Sequence, residues 1–341
     1  MKKTTVHLIY SLPLGTFDTI TIRVLRKLFL RSSFQNYKWP MPLQAPFSIT
    51  YHLAQYFSNN FHVKLYDYQE RVAIKPNQGD ILIGHPHPDP QSLMWQALDN
   101  PLFGKKYLIC PYNHSILQVG WLRPAIEKCD KYFAICGDYW FETFAQSPFA
   151  DLENKIIHIN MALNANEYPY LKQKFNPVRQ RRFFYIGRYG SFGDEKGIGL
   201  LEMLAENIPG FSGGYICKDG HIAGWKRISK PTSLTPEFMA NVAEKYDFFI
   251  NMSRADAQAT TVLEAMSWGF PVACTKETGY SEESLFLLDS DNIEQNSAII
   301  EHMQNLPDKE LHRISRINRA LAETRYNWQH FTDVIKEHIE V

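Results

Sequence analysis

At 341 residues the chain is long for one α/β core, so two domains are the first expectation. It is 45% hydrophobic and 21% charged, and 36 basic residues balance 36 acidic ones. That is the composition of an ordinary soluble protein, and a net charge of zero argues against a dedicated nucleic-acid binder, which carries a basic surplus.

The charge is unevenly spread. Within the first 40 residues, seven bases (Lys2, Lys3, Arg23, Arg26, Lys27, Arg31 and Lys38) face a single acid, Asp18. The stretch Thr19–Arg31 reads as an amphipathic helix, with Ile20, Val24, Leu25 and Leu28 apolar and Arg23, Arg26, Lys27 and Arg31 gathered towards another side. Such a ridge suits an anionic lipid surface; a helix packed on a sheet with a solvated basic face fits the same pattern. The opening MKKTTVHLIYSLPLG is no secretory signal, because His7, Ser11 and Pro13 interrupt its apolar run. No stretch of 18 apolar residues occurs. The five cysteines form no CxxC pair, and Cys110 and Cys274 end apolar runs as small core residues do. These features imply a reducing compartment and a cytoplasmic protein, peripheral at the inner membrane face if the basic ridge meets lipid.

Short apolar runs then recur in chain order as predicted strands: VHLIY (6–10), HVKLYDY (62–68), DILIGH (80–85), KYLICPY (106–112), YFAICG (132–137) and KIIHIN (155–160). Periodic stretches such as IRVLRKLFL and SITYHLAQYF separate them as helices. After the polar stretch 171–182, which contains Pro177 and reads as a linker, the scheme repeats. Its strands are RFFYIGR (182–188), GYIC (214–217), DFFINMS (247–253) and PVACT (271–275), with GLLEMLAENI and TTVLEAMSW as helices. Strand and helix alternating twice implies an α/β fold of two doubly wound parallel sheets.

The sharpest local signal is NMSRADAQATTVLEAMSWG at 251–269. A strand ends in a small polar loop and gives way to a helix stopped by Gly269. Loops after strands face the ligand crevice in such sheets. The N–H groups at the helix start, Thr260, Thr261 and Val262, suit a diphosphate. Asp256 precedes the helix and Glu264 is placed in its first turn, where each carboxylate can accept hydrogen bonds from sugar or ribose hydroxyls. The same two residues also fit a plain turn cap and a residue favouring the helix dipole.

This segment resembles the glutamate–seven–glutamate signature of retaining GT-B glycosyltransferases, in particular glycosyltransferase family 4. Asp256 stands where the family has its first Glu, and Glu264 matches the second. LEAMSWGFPVACT resembles the family's helix, glycine and following strand. Upstream, YIGRYGSFGDEKGIGLLEML is similar to its phosphate loop, carrying Arg188 and Lys196. RYNWQHF (325–331) resembles the aromatic motif where the chain crosses back to the first domain. Together these pieces cover residues 182–331. The loop from Arg188 to Lys196 is about three residues longer than the family's form, and Asp256 is one methylene shorter than Glu.

The resemblance implies a GT-B fold of two Rossmann-like domains facing a central cleft. Residues 1–170 would form the acceptor-side domain, 171–182 the linker, 183–320 the nucleotide-sugar domain, and 321–341 the returning helix. It implies a hexosyltransferase-like enzyme that moves a sugar from a UDP- or GDP-linked donor to a glycan or lipid-linked hydroxyl, with retention. Arg188 would clamp phosphate oxygens bidentately and Lys196 would add a compact positive charge, so no metal or further cofactor is called for. In the first half the resemblance is weaker: Gly15 follows the first strand where a glycine loop approaches the donor, and His114 follows a strand where related enzymes place a histidine near the donor sugar.

His85-Pro86-His87-Pro88-Asp89 has the HxHxD spacing with which a metallo-hydrolase begins its metal site, yet Pro90 stands where a further His is needed. The prolines make an extended rigid loop, suited to a wall that contacts donor or acceptor. Asp289 and Asp291 do not follow a strand in the way a DxD metal motif requires. A metal-dependent hydrolase using the HPHPD loop, and a catalytically silent nucleotide-sugar-binding module, remain the alternatives to a transferase.

Overall fold

The structure is a computed structural model and describes residues 4–13, 37–41, 43–114, 116–189, 195–230 and 234–339. Gly15 and the basic stretch Thr19–Arg31 lie outside the described residues. Every apolar run expected to be extended forms a strand. The first half contributes β1 (Thr5–Tyr10), β2 (His62–Asp67), β3 (Asp80–Gly84), β4 (Phe103–Pro111), β5 (Lys131–Ile135) and β6 (Ile156–Ile159). The second contributes β7 (Phe183–Gly187), β8 (Gly213–Cys217), β9 (Lys226–Ser229), β10 (Phe248–Asn251), β11 (Val272–Thr275) and β12 (Phe286–Leu288). The apolar runs did not announce β9 and β12, and β12 ends directly before Asp289, where no strand was expected. Each is a short edge strand, and β9 (KRIS) has no fully buried residue.

The strands form two six-stranded sheets, ordered β2-β1-β3-β4-β5-β6 and β12-β11-β10-β7-β8-β9. All the pairings are parallel. Parallel strands covered by helices on both faces need continuous apolar sequence, and β1, β3, β10 and β11 are buried at every residue. Both sheets are doubly wound, so the fold is the α/β, GT-B type of two Rossmann-like domains. The strand order reverses between β1 and β3 in the first sheet and between β7 and β10 in the second. These are the switch points at which open α/β sheets bind ligands.

The chain divides into two compact units. The first runs to Ile135 and also takes Thr143–Ile159 and the stretch from Trp328 onward; the second comprises Cys136–Glu142 and Asn160–Asn327. In the first, the helix Phe47–Ser58 presents His52 to Trp328 of the helix Trp328–His338, their rings stacked with centroids 4.2 Å apart. In the second, Leu200, Leu201 and Leu204 of the helix Ile198–Asn207 pack with Phe183, Tyr185 and Ile250 of the sheet.

The polar stretch 171–182 belongs to the second unit, where two of its charged side chains are buried. Lys172 Nζ lies 2.9 Å from Asp247 Oδ1 and donates to the Ala243 carbonyl. Arg181 donates to the carbonyls of Gln304 and Leu306 and pairs with Asp308 at 2.6 Å. All five cysteines are free and buried, and burial pushes the thiols of Cys110 and Cys274 up to about 12. Among the described residues, no helix is long and apolar enough to cross a membrane.

Candidate functional site

At the second sheet's switch point, β7 and β10 run side by side and deliver two loops to one place. After β7 the chain passes Gly187 to Arg188, whose carbonyl accepts the Tyr185 hydroxyl at 3.0 Å. The Arg188 side chain is exposed and makes no ion pair among the described residues. The loop re-enters at Glu195, Lys196 and Gly197. Gly197 sits at φ +64°, and a Cβ on it would stand 2.0 Å from the Met252 carbonyl oxygen, so only glycine lets this loop lie against the one after β10. The Glu195 carbonyl also accepts the Arg254 N–H at 2.7 Å.

The loop after β10 is held at nearly every step. Asn251 Oδ1 accepts the Ser253 N–H, and the Ser253 carbonyl accepts the Thr275 hydroxyl. The Asp256 N–H donates to the Glu277 carbonyl at 2.9 Å, while the Asp256 carbonyl accepts Trp140 Nε1–H at 2.8 Å. The Ala257 carbonyl accepts the Gly137 N–H at 2.9 Å. A Cβ on Gly137 would fall 1.5 Å from the Gly279 oxygen, so this approach is also glycine-dependent. Trp140 and Gly137 were not legible as site residues, because nothing in the sequence joins YFAICGDYW to a loop more than a hundred residues away.

This scaffolding fixes Asp256, whose Oδ2 lies 2.6 Å from Lys196 Nζ with both side chains partly exposed. Two of the expected site residues are thereby brought into direct contact. The helix Thr260–Ser267 starts without a side-chain cap, and Thr260 and Thr261 are partly exposed at its N-terminus. Thr261 Oγ1 accepts Asn251 Nδ2–H at 3.4 Å. Val262 differs: its side chain is wholly buried and its N–H is taken by the Ala259 carbonyl at 3.1 Å. Glu264 is the fifth residue of the helix, one turn deeper than its expected place in the first turn, and is 5% exposed. Its Oε1 accepts the Tyr168 hydroxyl at 3.4 Å.

In the first unit, both ring nitrogens of His114 are held: Nδ1 against the Tyr112 hydroxyl at 3.1 Å and Nε2 against the Thr143 hydroxyl at 2.8 Å. In the HPHPD loop, His87 Nδ1 accepts the Asp89 N–H at 3.0 Å, and the His85 Nδ1 is buried without a hydrogen-bond partner among the described residues. Among the described residues no group of three or more His, Cys, Asp or Glu could hold a metal ion.

No family model and no curated protein sequence matches the chain. Solved structures do. A mutant of S. aureus TarM, in complex with fondaparinux, α-GlcNAc-glycerol and UDP, superposes with a TM-score of 0.57 at 15% identity over 77% of this chain. The chain spans only 56% of that protein's length. A glycosyltransferase from Rickettsia africae ESF-5 matches with a TM-score of 0.56 at 11% identity, over 99% of this chain and 98% of its own. The N-terminal domain of trehalose-6-phosphate phosphatase from Candida albicans matches with 0.58 at 12% identity, over 99% and 98%. At such identities the likeness establishes the GT-B fold, and a fold alone does not assign a reaction.

Proposed function

We propose that this GT-B chain is a retaining glycosyltransferase that moves a sugar from a UDP- or GDP-linked donor to a hydroxyl of a glycan or lipid-linked acceptor. The observation that carries this reading is the Lys196–Asp256 contact at the β7/β10 switch point, beside a helix that starts uncapped at Thr260. Breaking the anomeric C–O bond leaves a diphosphate with added negative charge. Arg188, Lys196 and the N–H groups of Thr260 and Thr261 are the donors for that charge, each contributing on the order of 3 kcal/mol in the transition state. Those cations supply the charge neutralisation that a divalent ion provides elsewhere. Asp256 is assigned to hydroxyls of the transferred sugar and Glu264 to the ribose. His114 of the first unit is assigned to the donor sugar by resemblance. The UDP held by the TarM mutant supports a uridine-linked donor by fold likeness.

Calorimetry with UDP and GDP, followed by donor consumption and the anomeric configuration of the product, tests the reading. Failure of both nucleotides to bind would sink it. Binding without turnover of any donor would favour the second reading, a silent nucleotide-sugar-binding module, which rests on Asp256 in place of Glu. The basic stretch Thr19–Arg31 is the feature that favours a lipid-linked acceptor. Sedimentation with anionic liposomes at low and high salt checks it, and binding unaltered when Arg23, Lys27 and Arg31 become Gln would leave a soluble acceptor.

A further inference from the structure

Apart from the donor loops, the first unit has a pocket of about 250 Å³ where the chain leaves β2 and β3, at the carboxyl edge of its own sheet. Tyr68, just past β2, forms one wall, and His87 of the HPHPD loop lies beside it with ring centroids 5.5 Å apart. Gln69, Glu70, Arg71, Asp89, Gln91 and Ser92 complete the polar lining. The volume falls just under the roughly 300–1,000 Å³ of drug-sized ligand sites, which is room for one ring rather than a chain.

The loop is pre-organised. Pro86, Pro88 and Pro90 restrict its backbone, Trp95 Nε1–H donates to the His87 carbonyl at 2.8 Å, and the Asp89 N–H donates to His87 Nδ1. With Nδ1 accepting, the neutral ring carries its proton on Nε2 and keeps a donor there.

Ser92 is the telling residue. It occupies the N-cap of the helix Leu93–Leu98, where a serine hydroxyl ordinarily bonds a backbone N–H of the first turn, yet it makes no such bond. Its Oγ is buried without a hydrogen-bond partner among the described residues, and the residue is only 8% exposed. A serine hydroxyl left unpaired in the lining of a polar pocket can turn about its Cα–Cβ bond to meet a ligand's own hydroxyl. Two carboxylates against one guanidinium disfavour an anion. An aromatic wall with donors and acceptors around it suits the apolar face and hydroxyl rim of a pyranose.

We infer that this pocket binds a neutral pyranose ring, stacked on Tyr68 and hydrogen-bonded by Ser92 and His87. Its role as the acceptor's sugar rests on the transferase reading; the binding itself does not. The test is calorimetry and saturation-transfer NMR on the full chain with methyl glucoside, methyl galactoside and N-acetylglucosamine, with glycerol 3-phosphate as the anionic arm. At least one pyranoside should bind, and Ser92→Ala should weaken it about fivefold, as expected for one hydrogen bond in a buried site. Because the Ser92 hydroxyl makes no cap bond, that variant should fold normally, and UDP affinity should not change. Tyr68→Ala should abolish the pyranoside signal. Binding of glycerol 3-phosphate alone, binding of no pyranoside, or affinity indifferent to Ser92→Ala overturns the inference. Loss of UDP binding with pyranoside binding retained sinks the donor reading and leaves this one standing.

Discussion

Lys196 Nζ rests 2.6 Å from Asp256 Oδ2, so the cation proposed for the donor phosphates and the carboxylate proposed for the transferred sugar hold each other. The contact joins the loop after β7 to the loop after β10, and it is partly exposed on both sides. On the proposed function, a donor diphosphate must compete for that lysine. Partly exposed ion pairs are worth up to about 1 kcal/mol, so the competition is mild.

Asp256→Asn should therefore leave nucleoside-diphosphate affinity unchanged or up to about fivefold tighter, while turnover falls by roughly a hundredfold or more through loss of the carboxylate. Glu264→Gln should behave differently and weaken nucleotide and nucleotide-sugar alike. Calorimetry with UDP and with the intact donor reads both. Equal weakening of the two ligands by Asp256→Asn would refute this division of labour.

Arg188→Ala should weaken nucleoside-diphosphate binding about 10- to 100-fold, the loss expected for a charge-assisted hydrogen bond of about 1.5–3 kcal/mol. The melting temperature should hold, because the side chain is exposed and pairs with nothing among the described residues. Lys196→Ala should act in the same direction. Unchanged affinity in both variants would remove the phosphate clamp from the site.

Lys172→Met addresses architecture instead. Lys172 and Asp247 are 1% and 0% exposed in side chain, and removing one partner of a buried pair costs about 3–5 kcal/mol. The lower end is expected, since Asp247 keeps the N–H groups of Asn176 and Arg182 and the Asn176 amide. A denaturant titration showing less than about 1 kcal/mol of destabilisation would mean that the pair contributes little to the second unit.

Acid should weaken the first unit before its carboxylates titrate. Burial pushes the imidazoles of His85 and His52 down to about 4 from an ordinary 6.5. Between those values the unfolded chain binds protons that the folded unit does not, so stability is full above about pH 6.5 and is lost as pH falls towards 4. For His85 the loss reaches about 3 kcal/mol; the more exposed His52 gives less. Melts from pH 7.5 to 4.5 should show the decline, and His85→Asn with His52→Asn should flatten it. Imidazole resonances of both rings that titrate near pH 6.5 in the native protein would contradict the account.

Much of this molecule is legible in its sequence. Two parallel sheets follow from apolar runs recurring between helical periods, because strands buried on both faces must be apolar throughout, as β1, β3, β10 and β11 are. The two loops at the β7/β10 switch point were legible because Arg188, Lys196, Asp256 and Thr260 lie between a strand and the start of the helix that follows it, and the chain order of strand, loop and helix already determines which end of the sheet they reach. The edge strands β9 and β12 escaped notice because one side of an edge demands no apolar run. Tertiary structure alone decided the rest. It buried Lys172 and Arg181 of a stretch that reads as a polar linker, by giving each charge a partner from a distant segment. It brought Gly137 and Trp140 onto the Asp256 loop, and it left the Ser92 hydroxyl without the cap bond its position suggests. Periodicity and local chemistry are written within a few residues of one another; which distant backbone carbonyl meets which donor is set only when the chain packs.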